Sequence, residues 1–301
     1  MATQLVCVAD PNRAGANGEF VMRYLFGFLC ICALGAVPLV GCSEGGGEDL
    51  CEGVECDDGN ECTGDVCNPE TGNCDHPAVE DGTTCSSGAC LDGTCTVLTT
   101  VSGTVTVHES FEAGSPAAGA TVSVRETSLS TTTDEFGEFS FDVFPGVWFF
   151  ESSKEGSWGF IELYFVPTAG RSDLEVVVAA DAFTAQMEQA LMVDIDDTKG
   201  MVLLLFEPAG GLGGETATLS QPYDFLSTLD ADGEPVPSDK VLPGDEEPLL
   251  IFGGVDLTEE LTVTPVGVDG VNACDLEYPG AVYPVMAKVI TVVDAGCAPV
   301  P

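Results

Sequence analysis

The sequence predicts an all-β protein: two β-sandwiches in tandem, preceded by a small disulfide-rich segment and an N-terminal signal peptide. Three observations carry that expectation. Val101–Val107, Gly119–Val124 and Phe139–Val143 alternate apolar and polar residues with a period of two and are rich in β-branched and aromatic side chains, the pattern of half-buried strands. Eight cysteines crowd between Cys51 and Cys95, where large apolar side chains are almost absent. An apolar run, Leu25–Val40, follows Met22-Arg23 and ends at Gly41-Cys42.

That run has the layout of a secretory leader: a positive charge, an apolar stretch and a small-residue cleavage point over residues 22–41. A membrane anchor is the competing reading, but the stretch holds about 16 residues against the ~20 of a spanning helix. Gly27, Gly35 and Pro38 also interrupt it. Residues 1–21 place Asp10 and Glu19 where a leader needs base, so they are expected to be an upstream extension ahead of a start at Met22 or Val21. With cysteine first after the cleavage point, Leu39-Val40-Gly41-Cys42 resembles the lipobox of bacterial lipoproteins. The resemblance implies lipidation of Cys42 as the mature N-terminus and membrane attachment through that lipid. Ser43 in the next position implies sorting to the outer membrane. Residues 42–50, rich in glycine and acid, read as a flexible tether.

The chain carries 50 acidic against 8 basic residues, a formal net charge of -42. The four charges ahead of residue 42 (Asp10, Arg13, Glu19 and Arg23) cancel, so the remainder keeps the whole imbalance. Such a surface repels phosphate backbones and excludes nucleic acid as a partner. It favours solubility, and it attracts divalent cations or basic partners.

Ten cysteines come after Cys42: Cys51, Cys56, Cys62, Cys67, Cys74, Cys85, Cys90, Cys95, Cys274 and Cys297. An even number in an exported chain implies disulfides. Zinc is disfavoured because the cluster lacks paired CxxC spacings and contains only His76. Residues 51–96 cannot bury a core, so cross-links must supply their stability; eight cysteines allow 105 pairings, and the sequence does not choose among them. The runs Cys56-Asp57-Asp58-Gly59-Asn60, Cys62-Thr63-Gly64-Asp65-Val66-Cys67 and Asn68-Pro69-Glu70-Thr71-Gly72-Asn73-Cys74 resemble the cysteine-rich repeat of slime-mould extracellular matrix proteins, which is abundant in myxobacterial surface proteins.

Residues 97–180 read as the first sandwich, with further strands expected at Val147–Ser152, Phe160–Val166 and Leu174–Ala179, all antiparallel. Gly, Pro and Asp clusters at 112–119, 134–138 and 145–146 supply its turns. The order Val101-Ser102-Gly103-Thr104-Val105, Pro116–Val122, then Thr133-Asp134-Glu135-Phe136-Gly137-Glu138-Phe139 and Pro145-Gly146 resembles carboxypeptidase-regulatory-like domains. That family implies a transthyretin-like, Ig-like sandwich without catalytic residues, used as an accessory or adhesion module. Residues 181–199 read as a linker with a short helix over Asp181–Ala190. Residues 200–301 read as a second, diverged sandwich. Gly200–Phe206, Gly213–Leu219 and Ile251–Val255 with Leu261–Thr264 repeat the earlier landmarks in order, although the Thr-Asp-x-x-Gly-x-Phe turn is missing. A last strand is expected at Val285–Val293, with Cys274 and Cys297 stapling it to the loop before it.

No phosphate loop, HExxH or Gly-x-Ser-x-Gly motif is present, and a Ser-His-Asp site on His108 with Asp134 or Asp142 has nothing to motivate it. No catalytic residues are expected. Calcium is the one cofactor suggested: Asp194, Asp196, Asp230, Asp232 and Asp239 are candidate ligands, and Asp57–Asn60 is a similar candidate. Acidic turn residues are the plainer account of each. Trp148 and Trp158 stand in an aromatic stretch, Trp148–Phe165, where consecutive aromatics on strands must face both sides; they are candidate ligand contacts. The whole reads as a non-enzymatic, lipid-anchored envelope protein for binding, adhesion or structure. Its partner would be a surface protein or polysaccharide. The alternative is a carbohydrate-binding accessory of a surface hydrolase system.

Overall fold

The computed structural model describes residues 50–110, 114–207, 213–243 and 248–300. The expected upstream extension, leader and lipidation at Cys42 lie outside the described residues. All ten described cysteines are paired: Cys51–Cys67, Cys56–Cys74, Cys62–Cys90, Cys85–Cys95 and Cys274–Cys297.

Four of those links stand in for a core in the N-terminal segment. A hairpin of β1 (Val66–Cys67) and β2 (Cys74–Asp75) precedes a meander of β3 (Thr84–Cys85), β4 (Gly88–Leu91) and β5 (Thr94–Thr96). Cys62–Cys90 ties the first part to the second, and both its residues are fully buried. Each such link restricts the unfolded chain by ~2–4 kcal/mol. The segment rests on the next domain, where the Ser128 amide donates to the Asp81 carbonyl at 2.9 Å.

The first sandwich comprises β6 (Thr99–His108), β7 (Ser115–Pro116), β8 (Thr121–Val124), β9 (Ser130–Thr132), β10 (Glu138–Val143), β11 (Gly146–Ser153), β12 (Ser157–Val166) and β13 (Arg171–Ala180). One layer runs β10-β6-β13 and the other β9-β8-β11-β12. Val101, Val105, Val122, Phe139, Phe150 and Val176 fill the space between them. The turn before β10 is dictated by its residues. Asp134 Oδ1 accepts from the amides of Phe136 (2.8 Å) and Glu138 (2.9 Å). Gly137 sits at φ 76, with the Val105 carbonyl 2.6 Å from where a Cβ would stand. Phe139 then points inward and Phe141 is half-buried, while Phe136 stays 63% exposed. The expectation of a wholly antiparallel sandwich is corrected: β6 and β13 pair in parallel, Leu174 opposite Gly103 through Ala179 opposite His108.

The short helix α1 (Asp181–Leu191) comes next, then β14 (Gly200–Glu207), β15 (Thr216–Leu219), β16 (Phe225–Leu229), β17 (Pro235–Pro237), β18 (Leu249–Val255), β19 (Thr258–Leu261), β20 (Val263–Val266), β21 (Asn272–Leu276), β22 (Tyr283–Val285) and β23 (Val289–Pro299). The main sheet runs β12-β23-β14-β18-β16-β17, so it begins in the first sandwich and crosses the second without a break. β14 and β18 are apolar runs because both faces are covered. On one face Met201, Leu203, Ile251, Ile290 and Val292 pack under Phe183, Met187 and Leu191 of α1. On the other, Val202, Leu204, Phe252 and Val293 meet Leu261, Val263, Tyr283 and Val285 from the small pairs β15-β20 and β19-β22.

β23 pairs in parallel with β12 (Phe160 opposite Ile290) and with β14 (Met201 opposite Ile290), wedged between the two sandwiches. The expected last strand at Val285–Val293 is thus corrected. Lys288, at φ 58, breaks the chain between β22 and β23, and the strand runs on to Pro299. The Cys274–Cys297 staple joins directly opposed residues of β21 and β23 rather than a loop.

Trp158 is 3% exposed at the start of β12, inside the cluster that α1 covers. Trp158→Ala is expected to cost ~3–5 kcal/mol, read by denaturant unfolding, with both sandwiches lost in one transition. A cost below ~1 kcal/mol would show that the joint does not hold the fold.

Candidate functional site: an acidic pocket at the joint

Side chains alternate along the main sheet, so parity assigns each carboxylate to a face. Glu162 on β12, Asp294 on β23 and Glu207 on β14 share the face of Phe160, Val292 and Leu203. Asp275 of β21 lies on that face as well, since Cys274 and Leu276 point to the opposite core. Glu277 is close by, and its amide donates to the Asp294 carbonyl at 2.9 Å. Glu207, Asp275, Glu277 and Asp294 line a pocket of about 300 Å³ with Leu276, Ala295 and Gly296.

Burial and mutual repulsion set the protonation of these groups. Desolvation pushes the Glu162 carboxyl up to about 7, against the lowering effect of the Tyr164 hydrogen bond and with Asp294 and Glu277 adding repulsion. Desolvation likewise raises Asp294 to about 6, with repulsion from Glu277 and Glu207 second. The Tyr164 hydroxyl has two acceptors at 2.7 Å, Glu162 Oε2 and the Glu175 carbonyl. One phenol hydrogen serves both poorly. A protonated Glu162 resolves the conflict by donating to the phenol oxygen while the phenol donates to Glu175. Arg171 stands over the Tyr164 ring at 5.3 Å and offsets part of the local charge.

Most basic side chains in the described residues are already engaged. Arg125 bridges Glu151 of the first sandwich and Glu259 of the second, each at 2.5 Å. Lys199 holds Asp224 (3.0 Å) and Asp256 (3.2 Å), and Lys288 holds Asp181 (3.0 Å). Asp294 in the pocket and Glu162 beside it therefore take up protons as pH falls through about 7 to 6, and the pocket presents negative charge above that range.

The residues singled out in the sequence fall elsewhere. Asp230 Oδ1 accepts from the amides of Asp232 (2.9 Å) and Glu234 (3.1 Å), shaping the β16–β17 turn. Asp196 Oδ1 accepts from the Thr198 hydroxyl (2.6 Å) and amide (2.9 Å), which hold its carboxyl below the usual range. Asp194, Asp196, Asp230, Asp232 and Asp239 do not converge. Among the described residues, triads of ligand atoms within 4.8 Å of one another are Asp58/Asp65/His76 and Cys62/Cys85/Cys95, and the cysteines of the latter are disulfide-bonded. None of the five aspartates joins such a triad, and turn groups already engage one carboxylate oxygen each of Asp196 and Asp230. Trp158 is buried and offers no stacking face, and Trp148 is half-buried with its ring 5.7 Å from that of Phe144. His108 Nε2 meets Thr106 Oγ1 at 3.1 Å, while Asp142 accepts from Thr100 and Asp134 from its turn, so no Ser-His-Asp relay forms there.

Glu162 and Asp294 escaped notice in the sequence, though a signal existed. Phe160-Ile161-Glu162-Leu163-Tyr164 and Val292-Val293-Asp294-Ala295 each place one carboxylate within an apolar strand run.

Fold and site together define an all-β, disulfide-bonded, strongly acidic protein of two β-sandwiches behind a disulfide-rich segment. No protein-family model matches the chain, and no curated protein matches it either. The resemblances to the cysteine-rich repeat and to carboxypeptidase-regulatory-like domains therefore rest on the quoted motifs. Among solved structures, a type II cohesin–X-dockerin complex from Acetivibrio cellulolyticus is similar at 23% identity, covering 27% of this chain and 58% of that one, with a TM-score of 0.23. The shaft pilin SpaA from Lactobacillus rhamnosus GG is similar at 12% identity over 68% of this chain and 100% of that one, with a TM-score of 0.21. A DUF3823 family protein from Parabacteroides merdae is similar at 12% identity over 52% and 81%, with a TM-score of 0.22. Similarity at this level transfers nothing about ligand or partner.

Glu162 and Asp294 bind protons more tightly folded than unfolded. Their contribution is therefore full at low pH and is lost as pH rises through about 6 to 7. The thermal midpoint is expected to rise as pH falls from about 8 to about 5.5. Glu162→Gln, neutral throughout, should be similar to the wild type near pH 4 and more stable than it near pH 8 by on the order of 3 kcal/mol. A wild type with a flat midpoint across that window would contradict this account.

Proposed function

We propose that this chain is a lipid-anchored cell-envelope protein acting as a non-enzymatic module for surface binding, adhesion or structure. The observation that carries the reading is the pairing of every described cysteine in a disulfide, downstream of the Leu39-Val40-Gly41-Cys42 motif. Disulfides in this number persist in oxidising compartments, which requires export, and a lipobox is the matching export signal. Among the described residues, no helix is long and apolar enough to cross a membrane. In this reading the N-terminal lipid holds the protein at the envelope.

The mechanical features suit such a role. Disulfides stiffen the segment next to the tether, and a sheet continuous through both sandwiches transmits load along hydrogen-bonded strands. The acidic exterior favours a basic or polar partner, or a polysaccharide reached through hydroxyl contacts. One depression of about 680 Å³ on the first sandwich is lined largely by hydroxyls, including Ser102, Thr104, Thr131, Thr132, Ser140 and Ser172.

Expression in a Gram-negative host, wild type against Cys42→Ala, tests the anchor by intact mass and membrane partition. The wild type should begin at Cys42 with added acyl mass and sediment with membranes, and the variant should lose both properties. A wild-type chain that retains residues 22–41, or that is soluble and unacylated, would overturn the assignment.

A further inference from the structure

We propose that Asp58, Asp65 and His76 form a binding site for a first-row divalent metal ion such as Zn²⁺ in the disulfide-rich segment. Cross-links and the hairpin ladder assemble the three residues from well-separated positions. In the β1–β2 hairpin, Val66 faces Asp75 and Cys67 faces Cys74, and the ladder continues to an isolated bridge between Thr63 and Ala78. Asp65 and His76 occupy the register position between, directly opposite one another. Cys56–Cys74 places Asp58 beside them, since Asp58 and His76 each lie two residues beyond one end of that disulfide. Cys51–Cys67 pins the strand just beyond Asp65.

Both carboxylates aim at the same imidazole nitrogen. His76 Nδ1 lies 3.1 Å from Asp65 Oδ1 and 3.5 Å from Asp58 Oδ2. An Nδ1–H has one hydrogen and serves one carboxylate well, whereas a metal ion between the three atoms serves them all. The spacing fits: with metal–ligand distances of ~2.0–2.2 Å, neighbouring donors around a tetrahedral or octahedral ion lie ~3.0–3.5 Å apart.

The aspartates are held in place by further contacts. Asp58 accepts from the Asn60 amide (2.9 Å) and the Thr63 hydroxyl (3.0 Å). The Asp58 amide in turn donates to Asp65 Oδ1 at 3.3 Å. Such second contacts orient ligating carboxylates and sharpen affinity. An imidazole with two carboxylates suits first-row ions, whereas calcium prefers an all-oxygen shell of six to eight ligands. Side chains that are 30–38% exposed leave the remaining coordination positions to water.

The sequence contains two histidines, His76 and His108, so imidazole NMR reports the site directly. The full chain, with Cys7, Cys30, Cys32 and Cys42 replaced by serine so that their thiols do not compete, is titrated with ZnCl₂ near pH 7.5. The His76 resonances are expected to shift and saturate at one equivalent while those of His108 stay in place, and a tenfold excess of CaCl₂ should not reverse the shift. By calorimetry, His76→Gln and Asp65→Asn should each weaken zinc binding at least tenfold, with intact mass confirming the disulfides in both. Unmoved His76 resonances would reduce the cluster to an ion pair and overturn the site. Reversal by calcium, or undiminished zinc binding in both variants, would assign the binding to the general acidic surface and overturn it equally.

Discussion

The parallel pairing of β23 with β12 on one side and β14 on the other is the interaction on which the rest of the molecule depends. It inserts the C-terminal strand between two sandwiches and turns their facing sheets into one. Ile290 and Val292 then complete the core under α1, while Val293 and Ala295 complete the core on the opposite face. Because those two cores share a strand, β23 cannot leave without opening both of them. The Cys274–Cys297 link locks the far end of that strand to β21 and makes the insertion harder to reverse.

The same insertion creates the acidic pocket. Where α1 ends its cover of the shared sheet, the apolar face continues as Glu162, Asp294 and Glu207, with Asp275 and Glu277 supplied by the neighbouring β21 and the residue beyond it. Their proximity is a cost that desolvation increases. The fold eases it by raising the proton affinity of Glu162 and Asp294 and by placing Arg171 over Tyr164. In a chain of net charge -42, bases spent on joining modules (Arg125 to Glu151 and Glu259) are bases withheld from surface neutralisation.

Much of the strand content was legible because a half-buried strand writes its burial into a period-two pattern. Residues 97–180 show this: the expected Val147–Ser152 and Leu174–Ala179 fall inside β11 and β13. The rule failed where both faces of a strand are covered. Consecutive aromatics in β12 were expected to expose some rings, and Phe165 is indeed 52% exposed, yet Trp158 and Phe160 are buried under α1. In the site, the carboxylates of Glu162 and Asp294 were visible as anomalies within apolar runs, but their neighbours were not, because strands far apart in sequence bring them together.

By itself the sequence determined the features that local chemistry dictates: all-β class, the turn at Asp134–Gly137, the need for disulfides where no core is available, and the acidic surface. Each depends on a side chain acting on its own backbone or on solvent. Only the tertiary structure decided which cysteines pair, that β6 and β13 run parallel, that β23 joins the sandwiches, and that Asp58, Asp65 and His76 converge on one point. Those outcomes depend on contacts between residues distant along the chain. Their geometry is set by packing the whole molecule rather than by any window of sequence.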